Sequence, residues 1–82
     1  MKDIHSMEIR WKLHAVERLS QRFRIDPDDA EHLLKTGKII KKIEKEGQIG
    51  IIENSKKKSK IRFKFLIHRG IIWVITVEGG KK

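Results

Sequence analysis

The sequence predicts an α+β fold in which two N-terminal helices pack on a four-stranded antiparallel sheet, and three observations carry that expectation. Apolar residues recur at helical spacing before residue 37 and alternate after it. Ile25-Asp26-Pro27-Asp28-Asp29 has the composition of a helix start. Arg69-Gly70 sits between two long alternating runs, as the turn of a hairpin does. At 82 residues there is room for a single domain, 1–82, with a modest core, and the ends 1–7 and 79–82 are expected to be flexible.

Glu8-Ile9-Arg10-Trp11-Lys12 reads as extended, a candidate short extra N-terminal strand. A helix running back to Glu8 would drive Lys12 into the buried arc, whereas an extended chain sets Ile9 and Trp11 on one side and the charges on the other. The first helix therefore starts near Lys12 or Leu13. At about 100° per residue, Ala15, Val16, Leu19 and Phe23 share one arc, and His14, Arg18 and Arg22 stack at i, i+4 and i+8 on a neighbouring one. His14 falls in the first turn, where unpaired N–H groups and the positive end of the dipole disfavour imidazolium. A neutral imidazole beside two guanidiniums is suited to taking a proton next to a held phosphate, although any surface helix that shows its polar side presents a similar strip.

In the second helix Asp26 can cap, Pro27 suits the first helical position, and Asp28, Asp29 and Glu31 oppose the dipole, so these carboxylates read as capping groups and not as an acid site. Ile25 and Ala30 occupy the hydrophobic-staple positions. Ala30, Leu33 and Leu34 make a short inner face, His32 is expected to be exposed, and Gly37 is the expected left-handed stop.

Lys38 to Glu46 and Gln48 to Ser55 read as a hairpin joined through Gly47, with Ile39 and Ile43 competing against Ile40 for the core. Asn54 to Lys60 reads as a mobile basic tip whose Lys56, Lys57, Lys58 and Lys60 suit phosphate contact. The last hairpin admits two registers. A two-residue turn at Arg69-Gly70 would pair Phe63 with Thr76, bury the hydroxyl and turn Trp73 outward. A three-residue loop, His68-Arg69-Gly70, pairs Ile67 with Ile71, Phe65 with Trp73, Phe63 with Ile75 and Ile61 with Val77, and is preferred because one face then lies wholly in the core. Arg62 then faces Thr76, Lys60 faces Glu78 and Lys64 faces Val74. A guanidinium beside a hydroxyl in mid-sheet can hold a phosphate at fixed geometry, and an ordinary solvated sheet face carries the same residue types.

Lys and Arg number 20 against 11 Asp and Glu, a net charge of +9, which favours a polyanionic partner, with nucleic acid ahead of membrane. High Lys, Glu and Ile usage of the kind found in heat-adapted proteins is the competing explanation. There is no cysteine, and the four histidines show no zinc-ligand spacing, so neither a metal nor another cofactor is expected. The absence of a bilayer-length apolar run and of an apolar leader in Met1 to Met7 reads as cytoplasmic.

His14-Ala15-x-x-Arg18 opening the first helix, Gly37-Lys38-Ile39-Ile40 after the second, and Val74-Ile75-Thr76-Val77 in the last strand resemble a family of small domains of no established function. That family carries a His-Ala-x-x-Arg signature and is grouped with the RelE/ParE-like toxins among barnase, EndoU and colicin-type nucleases. The resemblance covers about Ile9 to Glu78. It implies a metal-independent endoribonuclease in which a ribose 2′-hydroxyl attacks the adjacent phosphate. By position, His14 would be the acid or base, Arg18 and Arg62 would steady the phosphorane, Thr76 would bond a non-bridging oxygen, and Arg22 and Lys64 would extend the cationic track. The sequence departs from well-studied toxins in having no tyrosine and no second general acid beyond His68. Three readings stay open: a toxin-like ribonuclease acting on RNA, such as ribosome-bound message, and restrained by an acidic antitoxin; a non-catalytic nucleic-acid-binding module; and a ParE-like protein-interaction domain with an edge strand open to a partner peptide.

Overall fold

The computed structural model describes residues 6–56 and 59–79. The chain forms β1 (Glu8–Trp11), α1 (Leu13–Arg18) continuing into a π-helical turn (Leu19–Phe23), α2 (Pro27–Thr36), β2 (Lys38–Lys41), β3 (Gly50–Lys56), β4 (Ser59–His68) and β5 (Ile71–Gly79). The fold is α+β, with a five-stranded mixed sheet in the order β1-β5-β4-β3-β2. Strands β2 to β5 form the antiparallel meander, and the extended N-terminal stretch joins its edge as a strand parallel to β5. Both helices lie on one face of this sheet.

The core lies between them. Ala15, Leu19, Ala30 and Leu34 from the helices meet Ile52, Ile61, Phe63, Phe65, Ile72, Val74 and Val77 from the sheet. Trp11 sits on this side too, edge-on to Phe63 with ring centroids 6.1 Å apart. Within the ends expected to be flexible, Met7 is buried and Gly79 is the last residue of β5; residues 1–5 and 80–82 lie outside the described residues.

The hairpin of β4 and β5 corrects the expected register. The turn has two residues, Arg69 and Gly70, both left-handed at φ 55° and 74°, the conformation whose twist matches the flanking strands. Ile67 therefore pairs with Ile72, Leu66 with Trp73 and Phe65 with Val74. A bulge follows: Ile75 has no partner, and pairing resumes as Lys64 with Thr76, Phe63 with Val77, and Arg62 with Glu78. This one extra residue removes the objection to the short turn, because Thr76 is carried off the core face while Ile72, Val74 and Val77 are all fully buried. Trp73 turns outward. Phe63, Phe65 and Trp11 already fill the space over β4, so a further indole would overpack it.

The β2–β3 connection is also shorter in strand than expected. β2 stops at Lys41, its register shifting past Ile40, and residues 42–49 form a loop with Gly47 at φ 89°. Ile43 reaches the core from this loop, while Ile39 and Ile40 remain exposed on the sheet edge. At the other end of β3, Ser55 pairs with Lys60 and Lys56 with Ser59, so the expected basic loop is mostly strand. Lys57 and Lys58, and the Lys56 side chain, lie outside the described residues.

Helix α2 matches its reading at the N-terminus, where Asp29 N–H donates to the Asp26 carboxylate at 2.8 Å and Ile25 and Ala30 are both buried. Its end differs. Gly37 is extended at φ −78°, ψ 173°, not left-handed. Glycine is needed there for room: a Cβ would come within 2.6 Å of Ile52 Cγ2 and 2.9 Å of the Glu53 carbonyl. Asn54 holds the same junction by donating from Nδ2 to the Leu33 carbonyl at 2.8 Å and to Thr36 Oγ1 at 3.1 Å.

Gly37→Ala is therefore expected to cost about 1–3 kcal/mol, the usual penalty of overpacking, read as a lowered urea midpoint with an unchanged slope. Removing Ile75 gives a second check. Its deletion leaves every β4–β5 pair intact, so the chain should still unfold cooperatively in urea, whereas deleting Leu66 from the unbulged part should abolish that transition by turning side chains to the wrong face.

Candidate functional site

The sheet has two unlike faces. Residues alternating with the buried set point away from the helices: Glu8 and Arg10 on β1, Ile71, Trp73, Thr76 and Glu78 on β5, Leu66, Lys64, Arg62 and Lys60 on β4, Ile51 and Glu53 on β3, and Lys38 and Lys41 on β2. No described element covers this open face. Its apolar residues, Ile51, Leu66, Ile71 and Trp73, are half-buried among their neighbours yet form no part of the core cluster.

The cations outnumber the carboxylates here. Arg62 Nε donates to Glu53 Oε2 at 2.7 Å, Lys64 Nζ lies 3.3 Å from Glu78 Oε2, and Arg10 Nε donates to Glu8 Oε2 at 2.6 Å. Such half-exposed pairs stabilise little, but they consume all three acids of the face. Lys38, Lys41 and Lys60 have no ion pair among the described residues. Lys12 continues the path of β1, its N–H donating to the Val74 carbonyl at 3.0 Å, and its Nζ lies 5.2 Å from the centroid of the Trp73 ring. The Arg62 hydrogen bond, acting against some desolvation and aided by the charges of Arg62, Lys60 and Lys38, holds the Glu53 carboxyl below its ordinary value of 4.5.

The sequence-predicted site residues divide between two layers. Arg62 and Thr76 lie on the open face but are not partners: Arg62 stands across from Glu78 and Thr76 across from Lys64. His14, Arg18 and Arg22 belong to the helical layer on the other side. His14 is exposed and Arg18 half-buried, one turn apart on α1. Arg22 falls in the π-helical turn, whose wider i→i+5 spacing breaks the straight i, i+4, i+8 strip. A single phosphate pocket joining His14 and Arg18 to Arg62 and Thr76 is therefore not assembled, because the sheet stands between them. His68 lies at the end of β4, its Nδ1 3.4 Å from Glu46 Oε2. Lys60 and Lys64 do share the open face, and Lys60 also lines a groove with Thr36, Gly37, Lys38 and Asn54.

Trp73, Lys12, Arg10, Lys38 and Lys41 were not among the sequence candidates. For Trp73 the signal was Thr76, because Val74 and Val77 fall on opposite sides of a regular strand and can both be buried only if a bulge lies between them; nothing in the sequence pattern marked the other four. Among the described residues no three His, Cys, Asp or Glu side chains gather as a metal would require, and no helix is long and apolar enough to cross a membrane. No family model, curated protein or solved structure matches the chain.

The linkage sign for Glu53 follows from its depressed folded value. Its contribution is present above the ordinary value of 4.5 and lost as pH falls through the folded one. In Arg62→Met the Glu53 side-chain carboxyl should titrate closer to 4.5, with less of the protein's acid destabilisation assigned to it, as read by carbon-detected NMR across the acid range.

Proposed function

We propose that the chain is an RNA-binding domain of RelE/ParE-like type that engages the RNA through the open face of its sheet. One observation carries the reading: a sheet face that no described element covers, on which three carboxylates are already paired while Lys38, Lys41 and Lys60 have no ion pair among the described residues. With a net charge of +9, those lysines supply the sequence-independent attraction to phosphates on which such binding rests. Binding needs only a cationic surface, whereas cleavage by 2′-hydroxyl attack needs an acid–base pair and charge stabilisers at one phosphate. The element order, two helices followed by an antiparallel meander, is compatible with the toxin-like family and with this role.

Metal-independent cleavage remains the second reading, favoured by the exposed imidazole of His14 one turn from Arg18 on the helical face. There the two residues would act apart from Arg62 and Thr76.

Binding of a fluorescent RNA oligonucleotide should weaken linearly in log–log form with salt, by about 0.7 per phosphate contacted. Replacing Lys38, Lys41 and Lys60 together by Gln should reduce that slope by about 2. An unchanged slope would remove the open face from the interface. RNA cleavage in EDTA, abolished by His14→Ala with binding retained, would instead select the nuclease reading.

A further inference from the structure

We infer that Trp73 is a stacking platform for an unpaired base, so that the open face takes single-stranded nucleic acid in preference to duplex. The inference rests on the RNA-binding reading and adds the mode of recognition to it.

The sheet places Trp73 at the centre of a small apolar surface with cations on its border. Leu66 stands directly across on β4 and Arg10 directly across on β1, while Lys12 reaches over the ring. Ile51 and Ile71 extend the apolar area on the same face. An indole carries a large apolar surface, and this one stands off the core although the chain's other tryptophan, Trp11, also partly buried, packs against it. A large flat π-surface held on a strand, beside aliphatic groups and cations, offers what a nucleobase and its phosphates require: a face to stack on and charge within reach of the backbone.

Charge complementarity selects the occupant. The border of the patch is net cationic: Glu8 and Glu78 are taken up by Arg10 and Lys64, while Lys12 and Lys41 add charge with no ion pair among the described residues, Lys12 Nζ lying 5.2 Å from the ring centroid. Lys12 is exposed and its stem is long, so it can leave the ring for a phosphate when a base arrives. Base stacking is stronger than an exposed cation–π contact, so the exchange favours the bound state. A duplex keeps its bases stacked on each other and presents no free π-face. Only an unpaired strand can use the indole.

The test uses the full chain, a uridine octamer, a duplex of equal length and tryptophan emission. Titration with the octamer should quench emission in the native protein. In Trp73→Phe the quench should disappear while binding stays within a few-fold, because a smaller ring remains. In Trp73→Leu, which keeps an apolar side chain at the site, affinity should fall about 10- to 100-fold with an unchanged salt slope. The duplex should bind the native protein more weakly than the octamer does and leave emission unaltered.

Octamer binding that is salt-dependent but causes no quench and is indifferent to Trp73→Leu would overturn the stacking inference and leave RNA binding standing. Equal affinity for duplex and octamer would do the same. No binding of either at about 50 mM salt would overturn both, and would leave the patch to a protein partner. Circular dichroism of both variants guards against misfolding, and Trp73→Phe keeps the inference falsifiable should Trp73→Leu unfold.

Discussion

The bulge at Ile75 is the constraint on which the rest of the molecule depends. Strand alternation allows β5 to bury either the odd or the even side chains, and neither choice alone is satisfactory. Burying the odd set would leave Ile72 and Val74 outside, and burying the even set would draw Thr76 into an apolar core, where an unpaired hydroxyl costs about 1–3 kcal/mol. The bulge switches sets midway, taking Ile72 and Val74 from one and Val77 from the other. A bulge disturbs the ladder at only one residue, and bulges are common where a strand must re-aim a side chain.

The two faces of the sheet acquire their characters from this switch. Toward the helices lie small partners, Ala15 and Ala30, which let the helices approach closely enough for Phe63 and Phe65 to fill the layer. Gly37 and Gly50 serve the same closeness at the strand ends. A Cβ at Gly50 would come within 2.8 Å of the Phe65 ring and one at Gly37 within 2.6 Å of Ile52. Away from the helices the face keeps Trp73, Leu66 and a set of basic residues.

That division also decides which chemistry the molecule can host. The helix that begins at Leu13 carries His14 and Arg18, and the β4–β5 ribbon carries Arg62 and Thr76, but a packed sheet separates the two sets. Arg62 is further committed to Glu53, whose carboxyl it holds in the charged form. A bound phosphate would therefore have to compete with an existing carboxylate for that guanidinium. Lys38 and Lys60 feel the same carboxylate only by charge at a distance, and Lys41 has no ion pair among the described residues, so attraction over a broad cationic face meets weaker competition, which favours the proposed binding role.

Local chemistry alone determined much of this protein. The Asp26-Pro27 helix start, the extended Glu8 to Trp11 segment with the helix following at Leu13, the antiparallel meander and the excess of positive charge all depend on neighbours within a few residues or on composition. The tertiary structure decided the rest, because those questions concern which of two nearly equal local solutions fits a distant surface. A turn of two or three residues at Arg69-Gly70 differs locally by little, and the space left by Phe63, Phe65 and Trp11 settles it. Gly37 looks like a left-handed stop until β3 is seen pressing on it. Whether Trp73 faces core or solvent turned on one inserted residue whose effect appears only when the strands are paired, and whether the four site candidates converge turned on which face of the sheet the helices cover.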